Sequence, residues 1–288
     1  MRALNRLKLR KPPFTFDAGS TPWLWQPNNP DFSELCNAIS FAAPAFERYL
    51  VKVVQQAAPQ LAGTPMEQEA DDFLRQEAQH ARMHRRHVTA LVQQYPALAD
   101  TQIKIDRAYA DLLEHENLEF NLAYMTDVEA TFTPFFGMML DHEQELFRGG
   151  ADNVASLFLW HFMEEVEHRS SAFGIYHTVV GRPWHRVRMM PKVTKHIIAL
   201  MRTVIGDFEV HVPAADRGGV TGSQMGLRSE AFRAIPRRRL ITMSYRLALS
   251  QAPFHSPERQ PIPKFTAEWY DAEAAGKDIT QWYAAARA

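Results

Sequence analysis

The chain has a single cysteine, Cys36, among 288 residues. A lone thiol closes no internal disulfide, which excludes the disulfide-stapled secreted class and fits a reducing, cytoplasmic setting. Long apolar runs are missing too. No stretch approaches the roughly 18 uninterrupted apolar residues that cross a bilayer, so no membrane span is expected. The basic stretch 1–11 lacks the apolar segment and small-residue cleavage site of a secretory signal. Neither sign of charge is in excess. The 32 basic and 33 acidic side chains leave a formal net charge of −1, which gives no electrostatic ground for binding nucleic acid. Short-period repeats and low-complexity segments are absent. What remains is a chain that is 46% hydrophobic and long enough to bury a full core.

Helical punctuation runs through most of it, and no strand pattern competes. Residues 1–30 hold five prolines and little periodicity, and read as an extended arm. Asp31 and Ser33 are candidate N-caps of a first helix over about 32–58, ending near Pro59. Thr64-Pro65-Met66-Glu67 supplies the cap, the first-turn proline and the acidic start of a second helix that runs to about Tyr95. A third helical region is predicted over about 103–148, kinked at Pro134 and ended by Gly149-Gly150. A fourth helix opens at Ala151-Asp152-Asn153 and ends near Gly181, and a fifth covers about 184–211. Beyond Pro213, Gly218, Gly219 and Gly222 mark a linker; helices near 236–251 and 264–285 flank a proline-rich stretch. The expected organisation is an arm over 1–30, an all-α bundle over 31–213, and a linker with a helical appendage over 214–288. Arg237-Arg238-Arg239 reads as a solvated face or an interface.

Two Glu-x-x-His pairs stand out: Glu77 with His80, and Glu165 with His168. On a helix, positions i and i+3 share a face, so each pair offers a carboxylate and an imidazole to one point. With 19 Glu and 12 His, chance alone supplies about one such pair. The order of the flanking acids decides the matter. Glu47 precedes Glu77 by 30 residues and Glu129 precedes Glu165 by 36, intervals that suit one helix, a turn and part of the next. All four sites lie in apolar surroundings, where charge is rarely buried unless paired or bound to metal. Glu, Glu-x-x-His, Glu, Glu-x-x-His on four helices is the ligand set of a ferritin-like bundle with two metal ions. Such a bundle needs its second and third helices parallel, and the stretch from Pro96 to about Leu112 is the candidate crossover.

His161 lies four residues before Glu165 and seven before His168; His84 lies four after His80. Both fall toward the same end of antiparallel helices, one turn from the expected metals, where a third imidazole ligand or a substrate pocket belongs. His87, among Arg85 and Arg86, reads as surface. With Glu47, Glu77, His80 and Glu129, the run His161-x-x-x-Glu165-x-x-His168 resembles the ligand pattern of the di-iron arylamine N-oxygenases of the para-aminobenzoate type. That resemblance implies His161 as a third imidazole ligand. Over about residues 10–250 the chain also resembles a bacterial family catalogued as predicted metal-dependent hydrolases.

The expected site is thus a carboxylate-bridged pair of iron ions, with manganese as the alternative. Glu77 and Glu165 would bridge, Glu47 and Glu129 would be terminal, and His80, His168 and His161 would be the imidazole ligands. Helix-borne, carboxylate-rich ligands favour an oxidoreductase that uses O₂ and an electron donor on a small organic substrate. The alternative is a hydrolase with a two-metal-activated water. A metal store would need a cage-forming oligomer, which the long tail disfavours; a homodimer is compatible. Phe132, Phe135, Phe136, Phe162 and Phe173 either line an apolar pocket or belong to ordinary core.

Overall fold

The computed structural model describes residues 7–221 and 230–284. Among these residues the chain is all-α, as its punctuation predicts, with ten α-helices and two short 3₁₀ turns and no strand. Gly222 and the end of the predicted last helix at 285 lie outside the described residues.

Four helices carry the bundle: α1 (Pro30–Leu61), α2 (Glu67–Gln94), α4 (Leu118–Asp141) and α6 (Asp152–Glu167). Their directions follow from cross-helix pairs. Partners fall along α6 as numbers rise along α2: Glu77 meets His168, His80 meets Glu164, and His84 meets His161. Likewise Phe46 meets Phe132 while Tyr49 meets Tyr124, so α1 and α4 are antiparallel. The short 62–66 connection makes α1 and α2 an antiparallel hairpin. It follows that α2 and α4 run parallel, and the chain between them must travel back. It does so as a helix of its own, α3 (Leu98–His115), packed across α1 through Phe46 and Tyr109 and tied to α8 (Pro183–His211) by Thr101 and Lys104 on Asp207.

The predicted 103–148 helix is therefore three elements, α3, α4 and a short α5 (Glu143–Leu146). Asn117 ends the first run, and its side chain accepts the Phe120 N–H at 2.9 Å to cap α4. Pro134 sits inside α4 without ending it, and α5 follows. The predicted 151–181 helix is also split, at residues 168–170, with α7 (Ser171–Val179) beyond. Asn29, rather than Asp31 or Ser33, caps α1 by accepting the Phe32 N–H at 3.2 Å. The last helix, α10 (Phe265–Ala274), is shorter than predicted because Gly276, at φ +78°, turns the chain at its C-terminus.

Residues 7–29 form no helix but bury Phe14, Trp23 and Trp25. Trp25 packs on Phe32, Phe147 and Phe158. Gly150 permits this close approach, since a Cβ there would lie 2.9 Å from the Trp25 carbonyl oxygen. Beyond the 230–235 turn, α9 (Arg237–Ser250) and α10 lie against α4. Arg186 on α8 fastens this side: it pairs with Asp127 of α4 at 2.6 Å and donates to the Ser250 and Ala252 carbonyls. Arg237, Arg238 and Arg239 are exposed, as a solvated face would be. No helix among the described residues is long and apolar enough to cross a membrane.

Candidate metal centre

Glu47 on α1, Glu77 and His80 on α2, Glu129 on α4, and His161, Glu165 and His168 from α6 and its C-terminal cap all turn into the middle of the bundle, and each is at most 2% exposed. His80 Nδ1 lies 3.7 Å from Glu77 Oε2 and 3.5 Å from Glu165 Oε1. His168 Nε2 lies 3.1 Å from Glu77 Oε1 and 3.6 Å from Glu165 Oε2. Glu77 and Glu165 therefore each turn one oxygen to His80 and the other to His168. On the His80 side, His161 Nε2 is 2.9 Å from Glu165 Oε1 and 3.5 Å from Glu47 Oε1. On the other side Glu129 Oε2 is 3.7 Å from His168 Nδ1. All seven residues singled out in the sequence meet here.

Their polar atoms lack partners. Glu47 Oε2, both oxygens of Glu77, His80 Nδ1, Glu129 Oε1, Glu165 Oε2 and both ring nitrogens of His168 are buried without a hydrogen bond. Each unmet atom of this kind costs about 1–3 kcal/mol, so their convergence in one place calls for a charge to face them. At this centre two groups of ligand atoms lie close enough to hold metal, Glu77-His80-Glu165-His168 and Glu47-His80-His161, and they share His80. Oxygen and imidazole donors without sulfur suit hard-to-borderline divalent cations. The residues present fit two such ions.

The surroundings prepare the ligands. His80 Nε2 donates to Glu164 Oε2 at 3.0 Å, which leaves Nδ1 for the centre. Glu164 is in turn held by Arg10 Nη1 at 3.0 Å. Arg10 also grips Glu167 and Glu273 with two bonds each, at 2.7–3.1 Å. On the opposite flank a line of 2.8 Å contacts runs from His161 Nδ1 to His84 Nε2, from His84 Nδ1 to Ser40 Oγ, and from Ser40 Oγ to His87 Nδ1. If His161 Nε2 serves a metal, its one proton sits on Nδ1. Each following group then has one consistent role: His84 donates through Nδ1 to Ser40, and the Ser40 hydroxyl donates to His87 Nδ1. His87 is fully buried, not on the surface as its basic neighbours suggest, because Phe16 of the N-terminal segment and Phe158 cover it. Ser40→Ala would leave two buried imidazole nitrogens without their partner. The expected cost is about 1–3 kcal/mol in chemical denaturation, with weakened metal affinity in titration.

Of the five phenylalanines, Phe136 stacks on Phe162 at 3.9 Å and lies 6.1 Å from the His161 ring. Phe132 stacks on Phe136. Phe135 instead meets Phe232, and Phe173 lies beneath Arg186, so neither borders the centre. Trp160 and Phe73, not singled out in the sequence, close it edge-on against His80 and His168. Glu164 and Arg10 were also missed. The only signal for Glu164 is its place in the Glu164-Glu165 pair, and Arg10 gave none.

Electrostatics follow from burial. Burial raises the Glu47, Glu129 and Glu165 carboxyls well above the ordinary range, and neighbouring carboxylates raise them further. Burial opposes charge on His80, but the hydrogen bond to Glu164 and the nearby Glu77 and Glu164 carboxylates outweigh it and push the imidazole up to about 10. Burial holds His84 and His161 neutral, and lowers His168 to about 4 and His87 to about 3. The raised groups bind protons more tightly folded than unfolded, so their stabilising effect is complete in acid and fades as pH rises. The lowered imidazoles act oppositely, but their contribution is already complete above the ordinary histidine value of 6.5. Metal-free protein should therefore lose melting temperature as pH rises from about 7 to about 9. Metal displaces those protons, so loaded protein should show a flatter profile in the same thermal scans.

No curated protein and no solved structure matches the chain. A family model described as "Predicted metal-dependent hydrolase" does match, over residues 8–240. That span takes in every residue of the buried centre and most of the chain, and the protein belongs to this family of predicted metal-dependent hydrolases.

Proposed function

We propose that the chain is a two-metal hydrolase built on a ferritin-like bundle. The observation that carries it is the convergence of unpartnered carboxylate and imidazole atoms on one buried point, in a chain whose family is described by metal-dependent hydrolysis. Glu77 and Glu165, whose carboxylates each face both His80 and His168, would help to hold both ions. His80, His161 and Glu47 would hold one ion and His168 would help to hold the other, with Glu129 the nearest further carboxylate on the His168 side. When bound, the two cations acidify a water and polarise the bond to be cleaved. The chain supplies the rest. Glu164, fixed by Arg10, orients His80, and the Ser40–His84 line orients His161. Glu47 has an oxygen with no partner and borders an open groove, which places it to take the proton released by the attacking water and pass it to solvent.

A second reading is oxidation by O₂. It is favoured by the helical origin of every ligand but His168, which caps α6, by the third imidazole and by the aromatic enclosure by Trp160, Phe136 and Phe162. One comparison separates the two. Manganese- or zinc-loaded protein should cleave generic phosphate or acyl esters without oxygen, and Glu77→Ala should abolish this. If anaerobic cleavage is absent and reduced iron-loaded protein instead consumes O₂ with a transient visible absorption, the hydrolase reading fails and the oxidase reading replaces it.

A further inference from the structure

A surface groove borders the buried centre at one ligand, Glu47, and basic residues line its walls. A groove of about 470 Å³ runs between α1 and α2 and reaches Glu47. Ala78 and Ala81, on the α2 side, supply too little bulk to close it. Arg48 and Lys52 of α1 and Arg82 and Arg85 of α2 line it, and Glu47 is the one acid among its lining residues. The spacings, four residues on α1 and three on α2, keep each pair on one helix face along the groove, and Arg48 directly follows the ligand Glu47. Arg48 is paired with Asp106. Lys52, Arg82 and Arg85 make no ion pair among the described residues, and all three are exposed. In a chain of net charge −1 this is a local excess of cation. A cleft lined by one sign of charge concentrates ligands of the other sign, and guanidinium groups are shaped for carboxylate and phosphate oxygens.

We infer that the substrate is a small organic anion, bearing a phosphate or carboxylate group, that enters through the α1/α2 groove. Lys52, Arg82 and Arg85 hold the anionic group at the mouth, and the bond to be broken reaches the centre past Glu47. The inference rests on the two-metal reading. The apolar stems and the two alanines in the walls leave room for an organic body behind the charge, which a bare inorganic anion would not need.

The test uses full-length, manganese-loaded protein and inorganic phosphate as the probe. Calorimetry should show phosphate binding that weakens steeply with added salt, as screening of exposed charge requires. The phosphorus resonance should broaden when the loaded metal is paramagnetic, placing the anion near the centre. Lys52→Glu with Arg82→Glu should weaken phosphate binding at least tenfold while metal content stays unchanged. The control Arg237→Glu, on the exposed start of α9, should leave it as in the parent protein. Ala78→Phe, at an exposed position in the groove wall, should raise the KM for an anionic ester and slow the broadening without loss of metal. Normal metal content with phosphate affinity unmoved by the double charge reversal overturns the groove assignment alone. Failure to take up metal overturns the metal reading and this inference with it.

Discussion

Glu165→Gln is expected to raise the melting temperature of the metal-free protein and to remove most of its response to metal. The two effects have one cause. Glu165 is buried beside Glu129, Glu77 and Glu47, and burial and those neighbours all oppose its charge. An amide of the same shape drops the charge and keeps an oxygen for the His161 Nε2 contact at 2.9 Å. The metal-free fold must hold this carboxyl protonated where the unfolded chain leaves it ionised, and removing that cost should stabilise the fold by about 1–3 kcal/mol, in line with neutral replacements of buried charge. The same change removes a carboxylate that faces both histidine positions. The parent protein should gain about 4 kcal/mol at a metal concentration 1,000 times the dissociation constant, roughly 8–16 °C for a chain of this size. The variant should gain little. Thermal scans of both proteins, with chelator and with metal, check the pair of outcomes. A variant that melts lower than the parent without metal, or that keeps the full metal shift, contradicts this account of the cluster.

Arg10→Ala should be the most destabilising single change outside the ligand set. The Arg10 side chain is 4% exposed and joins three carboxylates, Glu164 and Glu167 of α6 and Glu273 of α10. Burial opposes its charge, but the bonds to Glu167 and Glu273 more than compensate and keep it protonated. Removing one partner of a buried charge network strands the others, at a cost of about 3–5 kcal/mol. The loss should also reach the centre, because Glu164 orients His80. Metal affinity should fall about 10- to 100-fold, as for other changes behind a ligand. Urea denaturation and metal titration read the two effects. A loss under about 1 kcal/mol would show that the arm is not fastened through Arg10.

What could be read in the sequence was local. Glu-x-x-His pairs declare themselves because their spacing matches the helix period, and Glu47 and Glu129 because a lone acid in an apolar helical run needs a reason. The start of α8 was legible from Pro183 and that of α2 from its acidic first turn, although Met66 rather than Thr64 stands at the α2 N-cap and Pro65 lies before the helix. The boundary at Asn117 was not, because a single cap within a continuous helical pattern has no louder signal than any other asparagine. The break at residues 168–170 was not either; it falls on His168 itself, and functional positions are where local rules yield to the needs of the site. The shell behind the ligands was illegible for a different reason. Glu164 meets an arginine 154 residues away, and His84 and His87 meet a serine more than 40 residues earlier. No periodicity encodes such pairings; they exist only once α1, α2 and α6 and the N-terminal segment have packed.

Metal stoichiometry tests the central claim most directly. Elemental analysis of the parent protein, loaded with iron or manganese under reducing conditions and freed of excess metal, should find close to two ions per chain. Glu77→Ala and Glu165→Gln should retain at most one, since each loses a group shared by both positions. A parent protein that retains no metal under these conditions, and whose melting temperature is the same with chelator and with metal, would contradict the account.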